Sequence, residues 1–377
     1  MLKVSKKLGI LIAAILVVSM ALAACGGGGS APADSGQAAP PATDNGSATA
    51  PADNTAPADN TAPADTSTVY TVRIGCATVM PSHPNWFMEE LQKALEAKSS
   101  QFKVELYPAN QLGTNAEMIQ GLQNGNVQCV VLPAGLFTSI APIYNVLAVP
   151  GLVPSADAQY NMLNNSAIGD TIKTEVAKTG VTPLGFLWCP SQEFYLDKEV
   201  TDISGLKGLK IRGLDAKVCQ DMMTAYGATP VVMSSGDVAM ALQQGTINGC
   251  FTDCTFIAPM KLYEMAKYVV KDLPGVPNSN AIMVSNQFLE SLPPDLLTMF
   301  TDTVSEIRDQ THDYTVTYES DCYKQITDGG GTILTPSDTF VQQITDKNKS
   351  TQDTFIKDNP DYADLCGQIA AWVASNS

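Results

Sequence analysis

The sequence has few basic residues and few histidines. Its 377 residues include 22 Lys and Arg against 38 Asp and Glu, for a formal net charge of −16, and only two histidines. Nucleic acids and anionic membrane surfaces are bound through clustered Lys and Arg, so this balance argues against both as partners. The composition is compatible with a soluble extracellular protein and decides little more.

The motifs of common enzyme classes are also missing. The chain contains no Gly-x-Ser-x-Gly elbow, no Gly-x-x-x-x-Gly-Lys-Ser/Thr phosphate loop and no Gly-x-Gly-x-x-Gly after a predicted strand. His83 and His312 are far apart in the sequence, and neither has a nearby Cys or Ser in a recognisable catalytic signature. We therefore expect neither an enzymatic activity nor a cofactor.

The N-terminus has the three parts of a secretory signal. Three lysines, the last of them Lys7, precede an apolar run of 15 residues that begins at Leu8. The run is too short to span a bilayer. It ends at Leu22, the first residue of the sequence Leu22-Ala23-Ala24-Cys25. This pattern resembles a bacterial lipoprotein signal, which implies that residues 1–24 are removed and that Cys25 is acylated. An uncleaved N-terminal anchor is the alternative.

Residues 25–68 form a low-complexity segment. It consists almost entirely of Gly, Ala, Pro, Ser, Thr, Asn and Asp, and Ala-Pro-Ala-Asp-Asn-Thr occurs twice, from Ala50 and from Ala56. Such a segment has no large apolar side chains to compensate for the entropy lost on ordering, so we expect a disordered tether. As a flexible coil it would reach on the order of 35 Å, enough for the folded part to move over a membrane partner.

The remaining cysteines leave two possibilities open. An even number in an exported chain permits disulfides, and free thiols in an anaerobic habitat are the alternative. Cys250 and Cys254 are spaced more widely than most zinc-binding pairs, and only His83 and His312 could join them, so we expect no metal site. The eight cysteines after Cys25 are Cys76, Cys129, Cys189, Cys219, Cys250, Cys254, Cys322 and Cys366.

The hydrophobic pattern of residues 69–133 predicts a βαβαβ unit. Residues 69–77 and 102–107 alternate like strands, residues 85–98 and 115–124 have helical spacing, and residues 127–133 form an apolar strand of the parallel-sheet kind. Such units place helices on both faces of a sheet, and their ligands bind beyond the carboxyl ends of the strands.

A second alternating series runs from about residue 182 to residue 251. Gly227 and Gly245 follow predicted helices and should end them, while Ser234 and Ser235 occupy the place of an N-cap. Two successive α/β units predict two lobes with a cleft between them, which is where small molecules preferentially bind. We also expect two long C-terminal helices, over residues 296–324 and 340–355.

Four stretches, in this order and spacing, carry a family resemblance. They are residues 104–113 (VELYPANQLG), 205–212 (GLKGLKIR), 237–249 and 291–295 (SLPPD). The chain resembles the substrate-binding proteins of tripartite ATP-independent periplasmic (TRAP) transporters, of the dicarboxylate-binding type, from about residue 72 to at least residue 297. The resemblance implies a type II periplasmic-binding fold, in which two α/β lobes joined by crossing strands and a long helix close over one ligand.

The resemblance also implies that Arg212, which ends the Gly-Leu-Lys-Ile-Arg stretch, pairs with a ligand carboxylate. A guanidinium offers two parallel donors and gains most when closure excludes water, which supports this assignment. Many relatives place a second arginine twenty residues earlier, where this chain has Gln192, and Thr252 stands where an asparagine is expected. Losing the second positive charge favours a ligand with one carboxylate and an apolar or weakly polar body.

Further lining residues are expected from the loops at strand ends. Trp188 and Trp86 could line the pocket, although a Trp at helical spacing is more often in the core. Asp253 could pair with a ligand ammonium, but capping of a turn is the more common role of such a residue. The complete set of candidate ligand-binding residues is Arg212, Gln192, Thr252, Trp188, His83, Pro133, Asp253 and Asn278.

From these observations we expect an extracytoplasmic lipoprotein that captures a small organic carboxylate and delivers it to the small and large TRAP membrane subunits. Lobe I is expected to comprise residues 69–190 with 279–318, and lobe II residues 191–278 with 319–377. One alternative is a sensor that presents its ligand to a receptor kinase. The other is a binding module for a neutral sugar or a peptide, in which Arg212 would be structural.

Overall fold

Residues 68–213 and 216–376 are described by the computed structural model. The expected signal peptide, the acylated Cys25 and all of the expected tether except Thr68 lie outside the described residues. Within the described part of the chain, no helix combines the length and the apolar character needed to cross a membrane.

The described chain alternates between strands and helices. The strands are β1 (Tyr70–Cys76), β2 (Phe102–Tyr107), β3 (Cys129–Pro133), β4 (Val181–Trp188), β5 (Glu193–Leu196), β6 (Lys210–Arg212), β7 (Thr229–Val231), β8 (Gly249–Thr252), β9 (Tyr268–Val270), β10 (Ser279–Ser285) and β11 (Thr332–Leu334). The α-helices are α1 (His83–Lys98), α2 (Asn115–Gln123), α3 (Ala156–Asn165), α4 (Ala167–Ala177), α5 (Lys217–Ala225), α6 (Val238–Gln243), α7 (Cys254–Ile257), α8 (Asn286–Ser291), α9 (Pro294–Asp328), α10 (Asp338–Asp358) and α11 (Ala363–Asn376).

These strands form two sheets, one in each lobe. The first sheet has the order β2-β1-β3-β10-β4 and the second the order β11-β9-β5-β8-β6-β7. In the first sheet, β1 runs parallel to β2 and β3, whereas β10 runs antiparallel between β3 and β4. β10 follows the second series of elements in the sequence but pairs in the first sheet, so the chain returns to its first lobe.

Three segments connect the lobes. Residues 189–192 lead from β4 to β5, and residues 271–278 lead from β9 back to β10. The third is α9, whose 35 residues extend for about 50 Å. It packs against α1 and β4 of the first lobe and against α7 and β11 of the second. Two crossing segments of the chain and a long helix thus join the lobes, much as the resemblance implied.

Most predicted elements are confirmed within two residues at each end. Gly227 and Gly245 do end helices, with φ of +87° and +65°, a conformation that costs glycine little. The predicted serine cap is confirmed in position only, because Ser234 is the N-cap residue of a 3₁₀ turn that leads into α6 but makes no side-chain capping bond. The Ser234 hydroxyl donates to Asp237, Ser235 begins a 3₁₀ turn, and α6 starts later, at Val238, without a side-chain cap.

The buried core of the described chain comprises three clusters, the largest of which contains residues of both sheets, such as Phe186 and Phe251. One cluster fills the space between the first sheet, α1 and α9, with Phe87, Leu91 and Phe300 completely buried. Another packs α7 and the C-terminal part of α9 against the second sheet, around Tyr195 and Ile257. α9 therefore contributes apolar side chains to both clusters, which fixes its position relative to both sheets.

Candidate functional site

The ends of several strands meet at one edge of the first sheet. Pro133, the last residue of β3, lies opposite Asn280 of β10, and Asn280 lies opposite Leu187 of β4. Trp188 ends β4 and lies opposite Ser279, where β10 begins. β1 is parallel to β3, so its carboxyl end points toward the same edge. Ligands of open α/β sheets bind beyond such an edge.

The second sheet carries three of the predicted ligand-binding residues at a single edge. Thr252 ends β8 and lies opposite Glu193, the first residue of β5, so Gln192 immediately precedes this pair. Arg212 ends β6 and pairs with Cys250 of β8. Thr252 and Arg212 therefore end two adjacent strands, and Gln192 directly precedes the third strand, β5. All three residues lie at the same edge of the sheet.

The two edges adjoin at what we call the interlobe junction, formed by these strand ends and residues 189–192. A hydrogen bond of 3.3 Å from Nδ2 of Asn278 to Oδ2 of Asp253 links the two edges a second time. Asn278 directly precedes β10 of the first sheet, and Asp253 directly follows β8 of the second. The strand ends of the two sheets are thus linked directly through Asn278 and Asp253.

Arg212 is half-buried at this junction. Its Nη2 donates to the hydroxyl of Ser235 over 3.4 Å, and its guanidinium carbon lies 5.5 Å from the centre of the Phe256 ring. Its Nε is buried and has no hydrogen-bond partner among the described residues. Burial lowers the pKa of Arg212, an effect that Cys250 and Asp253 oppose. A guanidinium with an unused buried donor is suited to bind an anion.

Gln192 is the most incompletely bonded polar side chain at the junction. Its side chain is buried, with 3% of the residue exposed. Neither Nε2 nor Oε1 has a hydrogen-bond partner in the described part of the chain. A buried amide without partners is destabilising unless another molecule supplies them, which makes this position a functional candidate.

His83 is the first residue of α1 and lies on the first-lobe side of the junction, 3% exposed. Nδ2 of Asn280 donates to His83 Nε2 over 2.7 Å and to Sγ of Cys189 over 3.2 Å. The third side of this triangle is 3.2 Å, between His83 Nε2 and Cys189 Sγ. His83 Nδ1 is buried without a partner among the described residues.

This Cys-His-Asn contact does not have the properties of a nucleophilic site. Burial lowers the pKa of His83 to about 3, so the imidazole is neutral and a weak base. Burial also raises the pKa of the Cys189 thiol well above its ordinary value, and the negative charge of Asp253 raises it further. The thiolate that nucleophilic catalysis requires is therefore disfavoured.

Asp253 has local partners for its carboxylate. Oδ1 accepts hydrogen bonds from the backbone N–H of Thr255 at 3.0 Å and from the Thr255 hydroxyl, and Oδ2 accepts the bond from Asn278. Asp253 is thereby the N-cap of α7. Burial raises its pKa, and the hydrogen bonds from Thr255 and Asn278 lower it. The capping role considered from the sequence is the one observed.

Trp188 is buried, but its indole is directed to α3 and α9. Its Nε1–H donates to Oδ1 of Asp157 over 2.7 Å, and its ring meets His312 edge-on at 5.7 Å. On that side lies a surface depression of about 580 Å³, lined by Asp157, Tyr160, Asn161, Asn165, Asp309 and His312. None of the predicted ligand-binding residues lines this depression.

Two further predicted ligand-binding residues lie at the ends of their strands. Pro133 is half-buried at the end of β3, and Thr252 is buried at the end of β8.

Asn280 and Ser235 were not predicted as site residues. Asn280 approaches His83 across 197 positions of the sequence, so no local pattern could have revealed the contact. Ser235 looked like a helix cap because it precedes a helical pattern, whereas its hydroxyl accepts from Arg212. The arginine motif was the available signal for Ser235, because a guanidinium with buried atoms needs hydrogen-bond acceptors nearby.

The described cysteines form no disulfide bonds. All eight cysteines after Cys25 are buried as free thiols, including Cys250 and Cys254. In residues 68–213 and 216–376, no three His, Cys, Asp or Glu side chains are grouped in a way that could hold a metal ion.

Comparisons with known proteins point to one family. The profile of the bacterial extracellular solute-binding proteins, family 7, matches residues 80–358. The C4-dicarboxylate-binding periplasmic protein DctP of Rhodobacter capsulatus is 27% identical over 207 residues, which are 55% of this chain and 62% of that protein. The 2,3-diketo-L-gulonate-binding periplasmic protein YiaO of Escherichia coli is 23% identical over 275 residues, or 72% and 82%. The match thus spans less than two thirds of DctP.

Solved structures show the same fold. The TRAP periplasmic solute-binding protein of a Sulfitobacter species, with bound β-D-galacturonate, has a TM-score of 0.75 at 18% identity and covers 80% of this chain and 99% of its own. That of Shewanella oneidensis, with bound succinate, has a TM-score of 0.75 at 20% identity and covers 81% and 99%. The two-lobed type II periplasmic-binding fold expected from the sequence is confirmed.

Proposed function

The chain belongs to the bacterial extracellular solute-binding proteins of family 7, the DctP family of TRAP transporters, and on that premise we propose that it captures a small organic acid outside the cytoplasm and delivers it to the small and large membrane subunits of such a transporter. The protein performs no chemistry on this ligand. Relatives of the same fold are described with bound galacturonate, gulonate and succinate, all of which are organic acids.

One observation carries the proposal. Three side chains at the interlobe junction, Arg212, Gln192 and His83, each have a buried polar atom without a hydrogen-bond partner in the described chain. They come from the second lobe, the crossing segment and the first lobe, respectively. A ligand held between the lobes would supply partners for all three, and its binding would favour the state in which the lobes are closed.

The charges at the junction favour a single ligand carboxylate. Arg212 supplies the cation, whereas the position of the second arginine in many relatives is occupied here by the neutral Gln192. His83 is held neutral by burial. We therefore propose a monocarboxylate with an apolar or weakly polar body, hydrogen-bonded also to Gln192 and Thr252. Pro133, Trp188, Asp253 and Asn278 would shape the surroundings of this site.

The movement that encloses the ligand is proposed to occur between two lobes. Lobe I would comprise residues 69–190 with 279–318, and lobe II residues 191–278 with 319–377. The boundaries fall near the two crossing segments and within α9, which are the segments that both lobes share. Opening of the lobes would then require backbone changes only in these connecting segments, which would act as hinges.

The membrane association is proposed from the N-terminal sequence. Removal of residues 1–24 and acylation of Cys25 would fix the protein to the extracytoplasmic face of the cell membrane, with residues 25–68 as the tether. Cys25→Ala should release the protein from the membrane fraction and abolish incorporation of a labelled fatty acid. Incorporation of the label into Cys25→Ala would contradict lipidation at this residue.

The ligand proposal is tested with purified protein against monocarboxylates, dicarboxylates, sugar acids and neutral sugars. Thermal stabilisation identifies binders by mass action, and calorimetry measures their affinity. Arg212→Ala should weaken carboxylate binding by about tenfold to a hundredfold, because charged hydrogen bonds are lost. Arg73→Ala is the matched control, since Arg73 is an exposed arginine of β1. An unchanged affinity in Arg212→Ala, or stabilisation by neutral sugars alone, would refute the proposal.

A further inference from the structure

Two of the described thiols lie beside each other in the second lobe. Cys254 is the first residue of α7, and Cys322 lies in the C-terminal part of α9. Both are buried in the same apolar cluster, where α7 packs against α9. Their thiols are in hydrogen-bonding contact with each other. Residues that are distant in the sequence thus place two sulfur atoms together.

The backbone of α9 shows how closely the two helices approach. Sγ of Cys254 lies 4.0 Å from the carbonyl oxygen of Glu319. A helix carbonyl points toward the residue four positions later, so this oxygen is level with the turn that carries Cys322. Tyr318, one turn before Cys322, also contacts its thiol. Cys254 is therefore directed at the face of α9 on which Cys322 lies.

Other described thiols have partners that are not thiols. Cys76 donates to the carbonyl oxygen of Thr78, and Cys189 contacts the imidazole of His83. The Cys219 thiol donates to a backbone carbonyl oxygen of the first lobe. The contact between Cys254 and Cys322 is of a different kind, because each of these two sulfur atoms has a possible covalent partner beside it.

Burial determines when these thiols can react. It raises the pKa of the Cys254 thiol well above its ordinary value, so the folded protein contains little of the reactive thiolate. In the unfolded chain, by contrast, the thiol is exposed to solvent and ionises near its ordinary pKa. The period in which both cysteines can react is therefore the folding of the exported chain, a setting in which disulfides form and persist. Export is the only part of the proposed function on which this timing rests.

We propose that Cys254 and Cys322 form a disulfide bond when the reduced chain folds in the presence of an external disulfide compound. The thiolate of one cysteine attacks the external disulfide, which forms a mixed disulfide and releases one external thiol. The thiolate of the other cysteine attacks the mixed disulfide, which forms the internal bond and releases the second external thiol. The two cysteines lose two electrons to the external disulfide, and their two protons reside on the released thiols.

The bond would fix the helix that lies behind the anion-binding arginine. α7 follows Asp253, and its Phe256 ring lies 5.5 Å from the guanidinium carbon of Arg212. α9 is the helix that both lobes share. A bond from Cys254 to Cys322 would hold α7 against α9 and would restrict the unfolded chain between the two cysteines, which stabilises the folded state.

The experiment maps disulfides in the full chain that carries Cys25→Ala, which cannot be acylated at this position and retains eight cysteines. The protein is denatured under reducing conditions and refolded in a mixture of oxidised and reduced glutathione. Free thiols are then alkylated in denaturant and the peptides are analysed by mass spectrometry. We expect two cysteines without the label and one linked pair of peptides that contains Cys254 and Cys322. Eight labelled cysteines, or links between other cysteines alone, would overturn the inference.

Three variants assign the bond and its effect. Cys254→Ser and Cys322→Ser should contain no internal link, whereas Cys366→Ser, which alters a buried cysteine of α11, should retain it. The oxidised parent should melt several degrees above its reduced form, and this difference should vanish only in the first two variants. Equal melting temperatures of the oxidised and reduced parent would contradict a stabilising crosslink. The peptide map of the parent tests the bond itself, even where a serine variant does not fold.

The two proposals fail in different ways. If the parent binds a carboxylate through Arg212 but all eight thiols stay free after refolding, the transport proposal stands and the disulfide inference is refuted. If the parent contains the link from Cys254 to Cys322 but binds no organic acid, the disulfide inference stands and the transport proposal is refuted.

Discussion

The hydroxyl of Tyr323 on α9 donates a hydrogen bond of 2.5 Å to Oε2 of the buried Glu193. Nζ of Lys271 lies 3.9 Å from the other carboxylate oxygen and 5.1 Å above the Tyr323 ring. Glu193 begins β5, Lys271 follows β9, and α9 passes between the lobes. The connections between the lobes are therefore joined, next to the second sheet, by one partly buried polar cluster.

Glu193 gives this cluster a pH dependence. Burial raises the pKa of Glu193 to about 7, although the hydrogen bond from Tyr323 and the charge of Lys271 oppose the shift. A carboxyl group whose pKa is higher in the folded state stabilises the fold most below its unfolded pKa and loses that contribution as pH rises through 7. Relative to Glu193→Gln, the parent should lose about 3 kcal/mol in its free energy of unfolding from about pH 4.5 to above pH 7.

Chemical denaturation of both proteins across this pH range measures the difference. Glu199→Gln is the control, because Glu199 is exposed shortly after β5. This variant reports the effect of removing a surface carboxylate. Parallel stability profiles for the parent and Glu193→Gln would show that the buried carboxyl does not titrate in this range. A difference that grows toward high pH, absent in Glu199→Gln, is the expected result.

Local patterns predicted the elements well. β3 was evident as a continuous apolar run, and Gly227 and Gly245 marked helix ends because both adopt positive φ. Arg212 was predicted as a candidate ligand-binding residue from its motif. In each case the information lies within a few adjacent residues, so a sequence is sufficient to reveal it.

The partners of the site residues could not be predicted in the same way. Cys189 lies 106 positions from His83, and Phe256 approaches Arg212 only because α7 follows the neighbouring strand. Trp188 was expected to line the pocket at a strand end, but the position of Asp157 on α3 determines where its indole N–H points. Side-chain direction at a strand end depends on packing between distant segments, which hydrophobic periodicity does not encode.

Gly249 should be intolerant of substitution. It begins β8 between β5 and β6, and a Cβ there would lie 2.1 Å from the carbonyl oxygen of Tyr195 and 3.0 Å from Cα of Leu196. Backbone atoms cannot yield as a flexible side chain can, so Gly249→Ala should destabilise the protein by about 3 kcal/mol or more.

The matched control for this substitution is Gly367→Ala. Gly367 is exposed within α11, and a Cβ there would meet nothing within 4 Å. The better helix propensity of alanine should raise the free energy of unfolding by up to about 1 kcal/mol. Denaturant midpoints that change little in Gly249→Ala would mean that β5 and β8 can separate locally without loss of the fold.

His83 should make the protein sensitive to acid. Burial lowers its pKa from 6.5 to about 3, so the folded state favours the neutral ring while the unfolded chain takes up a proton below pH 6.5. The stability contributed by His83 is present above pH 6.5 and is lost as pH falls toward 3. Relative to His83→Gln, the parent should lose about 3 kcal/mol in its free energy of unfolding between pH 6.5 and about pH 4.

The difference between parent and variant is the relevant quantity, because the many carboxylates of this chain titrate in both proteins. His312→Gln provides the control, as His312 is the other histidine and is partly exposed on α9. If the parent and His83→Gln lose stability equally on acidification, the imidazole is not buried in the neutral form. Such a result would also contradict the description of His83 as a neutral side chain at the interlobe junction.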